Sequence, residues 1–403
     1  MPALDTTCSA TALAPLLHTI AGYLNAEGAP TLASIGVGTG MGGTILFNCH
    51  YAAFTGETRY YDRALAELEQ VLAMLNPQTY KSDFGSNFYQ ELGELGELLC
   101  YLGRHGHLDW DSEPLLRKID TIQEERLALH LASANFERRR GALGVGAYFL
   151  RRAPHSAAAR QQLDVLLDAL EALRQGDEEA GYYWHCHMVA EPRAYTGLSH
   201  GSAMIMSFLA DLHAAGIRPD ECARLLYYAG RWVLGTRMDP ERFISTFPLW
   251  VGKEEETNNL CLIYGDLGTC YALLRAAAIL DHAEYRAAAV AAARRTTARV
   301  SAADTHIRDA SIYYGAAGTY LLYDAIHQQT GDEAFAQAAH YWLTRIPGLA
   351  THQNDCLNFS PQFYHTYQTA RLGFGFGVVG IGLTLLQALS GGRYSLSEFV
   401  GLT

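Results

Sequence analysis

The chain has 403 residues, 49% of them hydrophobic and 18% charged, enough to bury a large core in one big domain or in two or three smaller ones. A formal net charge of −12 leaves nucleic-acid binding without a basic footprint and disfavours a strongly acidic partner. No apolar run is as long as a bilayer span, and the N-terminus lacks a basic segment followed by a long apolar one, so neither a membrane span nor a signal peptide is expected.

The cysteines are Cys8, Cys49, Cys100, Cys186, Cys222, Cys261, Cys270 and Cys356. None form a C-x-x-C pair and most lie in apolar runs. That is the pattern of buried thiols in a reducing, cytoplasmic setting rather than of a disulfide framework. The 24 tyrosines supply rings with a polar tip, suited to a wet cavity.

Taken in chain order, a Gly-x-x-Gly turn leading into an apolar helix recurs at Gly40–Gly43, Gly93–Gly96 and Gly141–Gly144, then at Gly265–Gly268, Gly315–Gly318 and Gly377–Gly380. Gly201 fills the gap, with Met204 in place of the second glycine. The steps between first glycines are 53, 48, 60, 64, 50 and 62 residues, and such self-similarity marks a repeat architecture. Between the turns, charged and apolar residues alternate at helical spacing, predicting amphipathic helices at 10–24, 61–75, 113–132, 157–174, 219–234, 283–300 and 332–345. No segment alternates cleanly enough to compete as a strand. Seven wet-faced outer helices and seven apolar inner ones predict an all-α fold, an α/α toroid formed as one domain over residues 1–403. An open solenoid would call for distinct polar capping repeats.

A toroid of this kind gathers the residues just before each turn around one mouth, and the chemistry is sought there. Those residues include Glu137 before the third turn, Tyr195 and His200 before the fourth, and Asn259 and Tyr264 before the fifth, with Asp266 inside it. His306, Arg308, Asp309, Tyr313 and Tyr314 precede the sixth, and Phe359, Phe363, Tyr364, His365 and Tyr367 the seventh. Converging acid, base, phenol and aromatic groups are an active-site pattern. His200 sits at a helix start, beside unpaired N–H groups and the positive end of the dipole. That disfavours the imidazolium and leaves a neutral ring able to accept a proton. The plainer reading of His200 is a capping or core histidine. Arg138-Arg139-Arg140 reads as a solvated face, or as a contact for an acidic leader segment.

The motifs GLSHG at Gly197–Gly201, YGDLG at Tyr264–Gly268, YGAAG at Tyr314–Gly318 and GFGVVGIGLTLL at Gly375–Leu386 resemble those of the lanthionine synthetase C-like family, the cyclases of lanthipeptide biosynthesis. The resemblance spans the whole chain. It implies an α/α toroid that adds a cysteine thiol to a dehydroalanine or dehydrobutyrine, with a zinc ion held by two cysteines and a histidine to lower the thiol pKa. His200 matches the family's proton-handling histidine, and Glu137 stands where the family has an aspartate. The departures are at the metal. Ile263 stands in place of the first zinc cysteine, Tyr313 and Tyr314 in place of the Cys-His pair, and Asn259 in place of an arginine.

The resemblance and its departures together predict a zinc-independent cyclase without a cofactor. His200 is the general base. Tyr264, Tyr313 or Tyr314 stabilises the enolate or returns the proton, and Glu137 completes the catalytic set. Tyr195, Asn259, Asp266, Arg308 and His365 are expected to contact substrate. A metal site relocated to Cys261, His185, Cys186, His187 or His306 would need three ligands to converge tetrahedrally. The expected partners are a dehydrated precursor peptide and a dehydratase. The competing function is a catalytically inactive relative that binds peptide or assembles with other modification enzymes. Thiol addition to a small molecule is a further alternative. A glycosidase is disfavoured because no carboxylate pair stands at the turns.

Overall fold

The computed structural model describes residues 10–82, 87–254 and 258–403; Cys8 lies outside them. The amphipathic helices form at Ala10–Leu24, Thr58–Ala73, Glu113–Ala132, Ala157–Leu173, Pro219–Gly235, Ala283–Thr296 and Glu333–Arg345, within a few residues of the ranges their patterning predicts. Thr58–Ala73 shows why. Tyr60, Ala64, Leu68 and Val71 recur at helical spacing and are buried, while Arg63 reaches the buried Glu67 at 3.0 Å. Burial of a Leu or Val of this kind contributes about 1.5–3 kcal/mol. Capping sets the starts: Ser156 accepts the N–H of Ala159 at 3.1 Å, and Pro219 occupies a first-turn position where no N–H is needed.

The turn-led helices are Met41–Thr55, Ala142–Arg152, Ser202–Ala214, Asp266–Leu280, Ala316–Thr330 and Val378–Leu389. Met41–Thr55, Ser202–Ala214 and Val378–Leu389 are buried almost all round. Two expectations need correction. Gly93 and Gly96 do not form a turn. They are buried within the helix Phe88–Arg104, which starts where Asn87 accepts the Gln90 N–H at 3.0 Å. Glycines three apart share one helix face, so helix packing and a turn leave the same spacing in sequence. Strand is also present: Gln175–Asp177 pairs antiparallel with Gly181–Tyr183. Its strands have three residues each, and Gly176 and Gly181 carry φ of +83° and +91°, so no alternation marks them.

The chain divides into two compact units. One holds the described residues of Met1–Trp110 with Arg308–Leu321 and Gln337–Val400. The other holds Asp111–Ile307, Leu322–Ala336 and Gly401–Thr403. In the second unit Arg152, almost fully buried, is held by Asp120 at 2.9 Å and Glu113 at 2.8 Å, and Trp184 donates its indole N–H to the Leu170 carbonyl at 2.9 Å.

One loop rule runs through both units. The loop before each turn doubles back so that the carbonyl six residues before the first glycine lies against that glycine. A Cβ there would fall well inside 3.0 Å of backbone, as at Gly201 against Tyr195. Gly265 adds a φ of +98°, a conformation side chains disfavour. The helix's first N–H then bonds the same carbonyl: Met41 to Ser34 and Ala142 to Asn135 at 2.8 Å, Ser202 to Tyr195 and Ala316 to Asp309 at 3.0 Å. These bonds satisfy donors a helix start leaves open.

A second rule aligns neighbouring turns. At three junctions the N–H two residues before one first glycine bonds the carbonyl two residues before the next, while at the third turn the Arg139 N–H goes to Glu137 instead. In the second unit Ser199 bonds Ile263 at 3.1 Å. In the first, Tyr313 bonds Gly375 at 2.9 Å and Gly375 bonds Gly38 at 3.1 Å, joining the last repeat to the first. Side chains at equal positions of turns bonded in this way are therefore set side by side.

Candidate active site

The fourth and fifth turns bring His200 and Tyr264 together. Each is the residue immediately before its first glycine, and the Ser199–Ile263 bond locks the two turns in register. The ring centroids lie 5.9 Å apart, and Tyr195 meets His200 edge-on at 5.6 Å. Leu198 fills the space a Cβ would need on Gly268, so the second glycine of YGDLG admits the neighbouring turn. Tyr195 in turn contacts Trp250 at 5.2 Å, whose ring carries the Arg193 guanidinium at 4.5 Å and the Lys253 ammonium at 4.9 Å.

His200 is half-buried, and its Nδ1 is sealed with no hydrogen-bond partner among the described residues. Burial pushes its pKa down to about 4, and the nearby Arg140 cation adds to the effect. A ring with that pKa carries no proton charge at neutral pH. The cause differs from the helix dipole invoked from sequence: Gly201 is the cap of the helix Ser202–Ala214, and desolvation dominates.

The remaining candidates divide between the units. Glu137 is buried. Its Oε2 accepts the Arg139 N–H at 2.8 Å and the Arg140 N–H, so the carboxylate holds its own loop. Burial raises its pKa. Asp266 is fully buried and does not face substrate. It accepts the N–H groups of Thr246 and Phe247 at 3.0 and 2.9 Å and pairs with Arg299 at 3.2 Å. Arg299 also donates to the Asp304 carbonyl at 2.6 Å and to the Asn258 carbonyl. This strut braces the loop that ends in Tyr264. Asn259 serves the same loop with its backbone, its carbonyl lying against Gly265.

In the first unit Tyr313 and Tyr314 join an aromatic cluster. Tyr313 lies 5.0 Å from Phe376, and Tyr314 lies 4.6 Å from Phe363 and 6.0 Å from Phe376. Phe363 and Tyr364 are 41% and 50% exposed, and Arg308 and His365 are also exposed. Asp309 is buried, taking the Ser311 N–H at 2.8 Å and the Gln362 N–H at 2.5 Å.

The residues considered for a relocated metal do not gather. The rings of His185 and His187 are 6.3 Å apart, and Cys261 points its Sγ at the Tyr264 carbonyl at 3.7 Å. His306 ends the short helix Ala302–Thr305 with φ +58°. Among the described residues no three His, Cys, Asp or Glu side chains are grouped as metal ligands. The donor set at the turns, Ile263, Tyr313 and Tyr314, does not fit a zinc ion either. A groove of about 530 Å³ in the second unit is lined by Trp232, Met238, Phe243, Pro248 and Val251 among others; it flanks Trp250 and does not include His200.

A family model described as lanthionine synthetase C-like protein matches residues 33–301, about two thirds of the chain. Comparison with curated protein sequences gives no match. Among solved structures, nisin cyclase superposes with a TM-score of 0.73 at 15% identity, covering 97% of this chain and 96% of its own. A family 88 glycosyl hydrolase from Bacteroides vulgatus (TM-score 0.41, 10% identity, 96% of this chain and 99% of its own) is more distant. So is a polysaccharide lyase (TM-score 0.44, 12% identity, 95% and 97%). The all-α toroid class expected from the recurring turns is the fold of the nisin cyclase match.

Proposed function

The chain belongs to the lanthionine synthetase C-like family, and from that premise we propose that it adds a peptide cysteine thiol to a dehydroalanine or dehydrobutyrine without zinc, using His200 as general base. The observation that carries this reading is the half-buried imidazole of His200, its pKa lowered by burial, in ring contact with Tyr195 and Tyr264. With the proton on the sealed Nδ1, Nε2 is free to take the thiol proton. Moving a proton from a free thiol of pKa about 8.5 to an imidazole at about 4 costs about 6 kcal/mol. The thiolate–imidazolium pair formed in a half-buried corner offsets part of this. Tyr264, whose ring centroid lies 5.9 Å from that of His200, is the phenol proposed to stabilise the enolate or return a proton. Tyr313, Tyr314 and Glu137 keep the roles the resemblance implies only as part of this proposal, and a dehydratase is the proposed partner that supplies the substrate.

The test uses a synthetic peptide with one dehydroalanine upstream of one cysteine. Purified protein should consume the free thiol with no change of mass, and His200→Ala should not. A second reading, a peptide-binding relative without activity, is favoured by the exposed aromatics Phe363 and Tyr364 beside Tyr314. It predicts binding of the same peptide with its thiol left intact.

A further inference from the structure

The thiolate–imidazolium pair offsets only part of the cost of deprotonating the thiol, and a second cation near the sulfur would offset more. The residue before the first glycine is Arg140 in the third turn, His200 in the fourth and Tyr264 in the fifth. The last two are in ring contact. The helices Ala142–Arg152 and Ser202–Ala214 pack so tightly that a Cβ on Gly146 would run into the Phe208 ring. Arg140 and His200 each immediately precede the caps of these two packed helices, Gly141 and Gly201.

We propose that Arg140 is a further catalytic residue of the thiol addition set out above, its guanidinium stabilising the thiolate formed at His200. Three observations support it. The Glu137 carboxylate fixes the Arg140 backbone through its N–H, so the seat is rigid. Arg152, Arg275 and Arg299 are each locked to a buried or half-buried carboxylate. Arg140 is exposed, and the carboxylate whose charge it meets is that of Glu137 in its own loop. Its charge also reaches His200, holding the imidazolium down. The same cation that discourages a second positive charge on the ring favours a negative one on sulfur.

The step balances without a cofactor. The S–H proton passes to Nε2 of His200. The sulfur lone pair forms the S–Cβ bond, and the alkene pair moves to Cα and its carbonyl. The imidazolium then returns its proton to Cα. Arg140 carries no proton in either direction.

The experiment compares wild type, Arg140→Gln and Arg140→Lys on the synthetic dehydroalanine–cysteine peptide, with the His200 ring titration followed by NMR in the peptide-free proteins. Arg140→Gln should lose about 10- to 100-fold in kcat with KM within about twofold, and Arg140→Lys should recover most of it. The His200 midpoint should rise in Arg140→Gln and not in Arg140→Lys. Tyr195 and Tyr264, the other titratable side chains in ring contact with His200, are unchanged in both. Full kcat in Arg140→Gln while His200→Ala is inactive would overturn the role of Arg140 and leave the proposed function standing. No turnover by wild type would sink both, and an unmoved titration would further show that Arg140 does not neighbour His200.

Discussion

In the second unit the position before the first glycine holds Arg140, His200 and Tyr264; in the first it holds Thr39, Tyr314 and Phe376. The loops are built alike, each folding back on a carbonyl six residues earlier. The contents differ in what they can do. One set offers a cation, a neutral imidazole and a phenol. The other offers a buried hydroxyl and two rings stacked 6.0 Å apart. The lesson is that the backbone of the repeat fixes where a side chain is presented, and the residue alone decides whether that place is reactive or packed.

The comparison is broken most forcefully at His200. His200→Ala should lower the rate of thiol addition by about 10²- to 10⁴-fold with little change in peptide Kd. Free-thiol assays with parallel binding measurements check this, and an unchanged rate would reduce the corner to a packed one like its counterpart.

The next largest effect is on stability. Arg299→Met leaves the buried Asp266 charge uncompensated and should cost about 3–5 kcal/mol, read as a lowered urea midpoint. Were Asp266 a substrate contact instead, the change would appear in KM and not in stability.

Acid sharpens the contrast further. The folded-state pKa values of His200, about 4, and His50, about 3, lie below the unfolded value of about 6.5. Unfolded chains therefore bind more protons below pH 6.5. Stability should be full above that pH and fall as pH drops from 6.5 towards 4. His200→Ala should flatten part of this loss in melting temperatures taken between pH 7 and 4.5, while an unflattened curve would place the imidazole in solvent.

The smallest effect is expected in the first unit. Phe376→Leu trims a ring packed on Tyr313 and Tyr314 and should cost about 1 kcal/mol, with the addition rate within about twofold. A large loss of rate there would make the aromatic turns part of the chemistry.

The helices were legible because their amphipathic faces are local: 113–132 and 10–24 match to the residue. The glycine pair at 93 and 96 misled because helix packing and turn closure leave the same three-residue spacing. Asp266 misled because its partner Arg299 lies 33 residues away, and no pattern announces a long-range ion pair. Arg140 was hidden in a run of three arginines that reads as a wet surface. Its signal was positional: it precedes Gly141 as His200 precedes Gly201.

The most direct measurement of the central claim is the rate of thioether formation by wild-type protein before and after exhaustive chelation, with zinc then restored. A base-driven addition predicts the same rate in all three samples and a rate about 10²- to 10⁴-fold lower from His200→Ala. A rate that collapses on chelation and returns with zinc would contradict it.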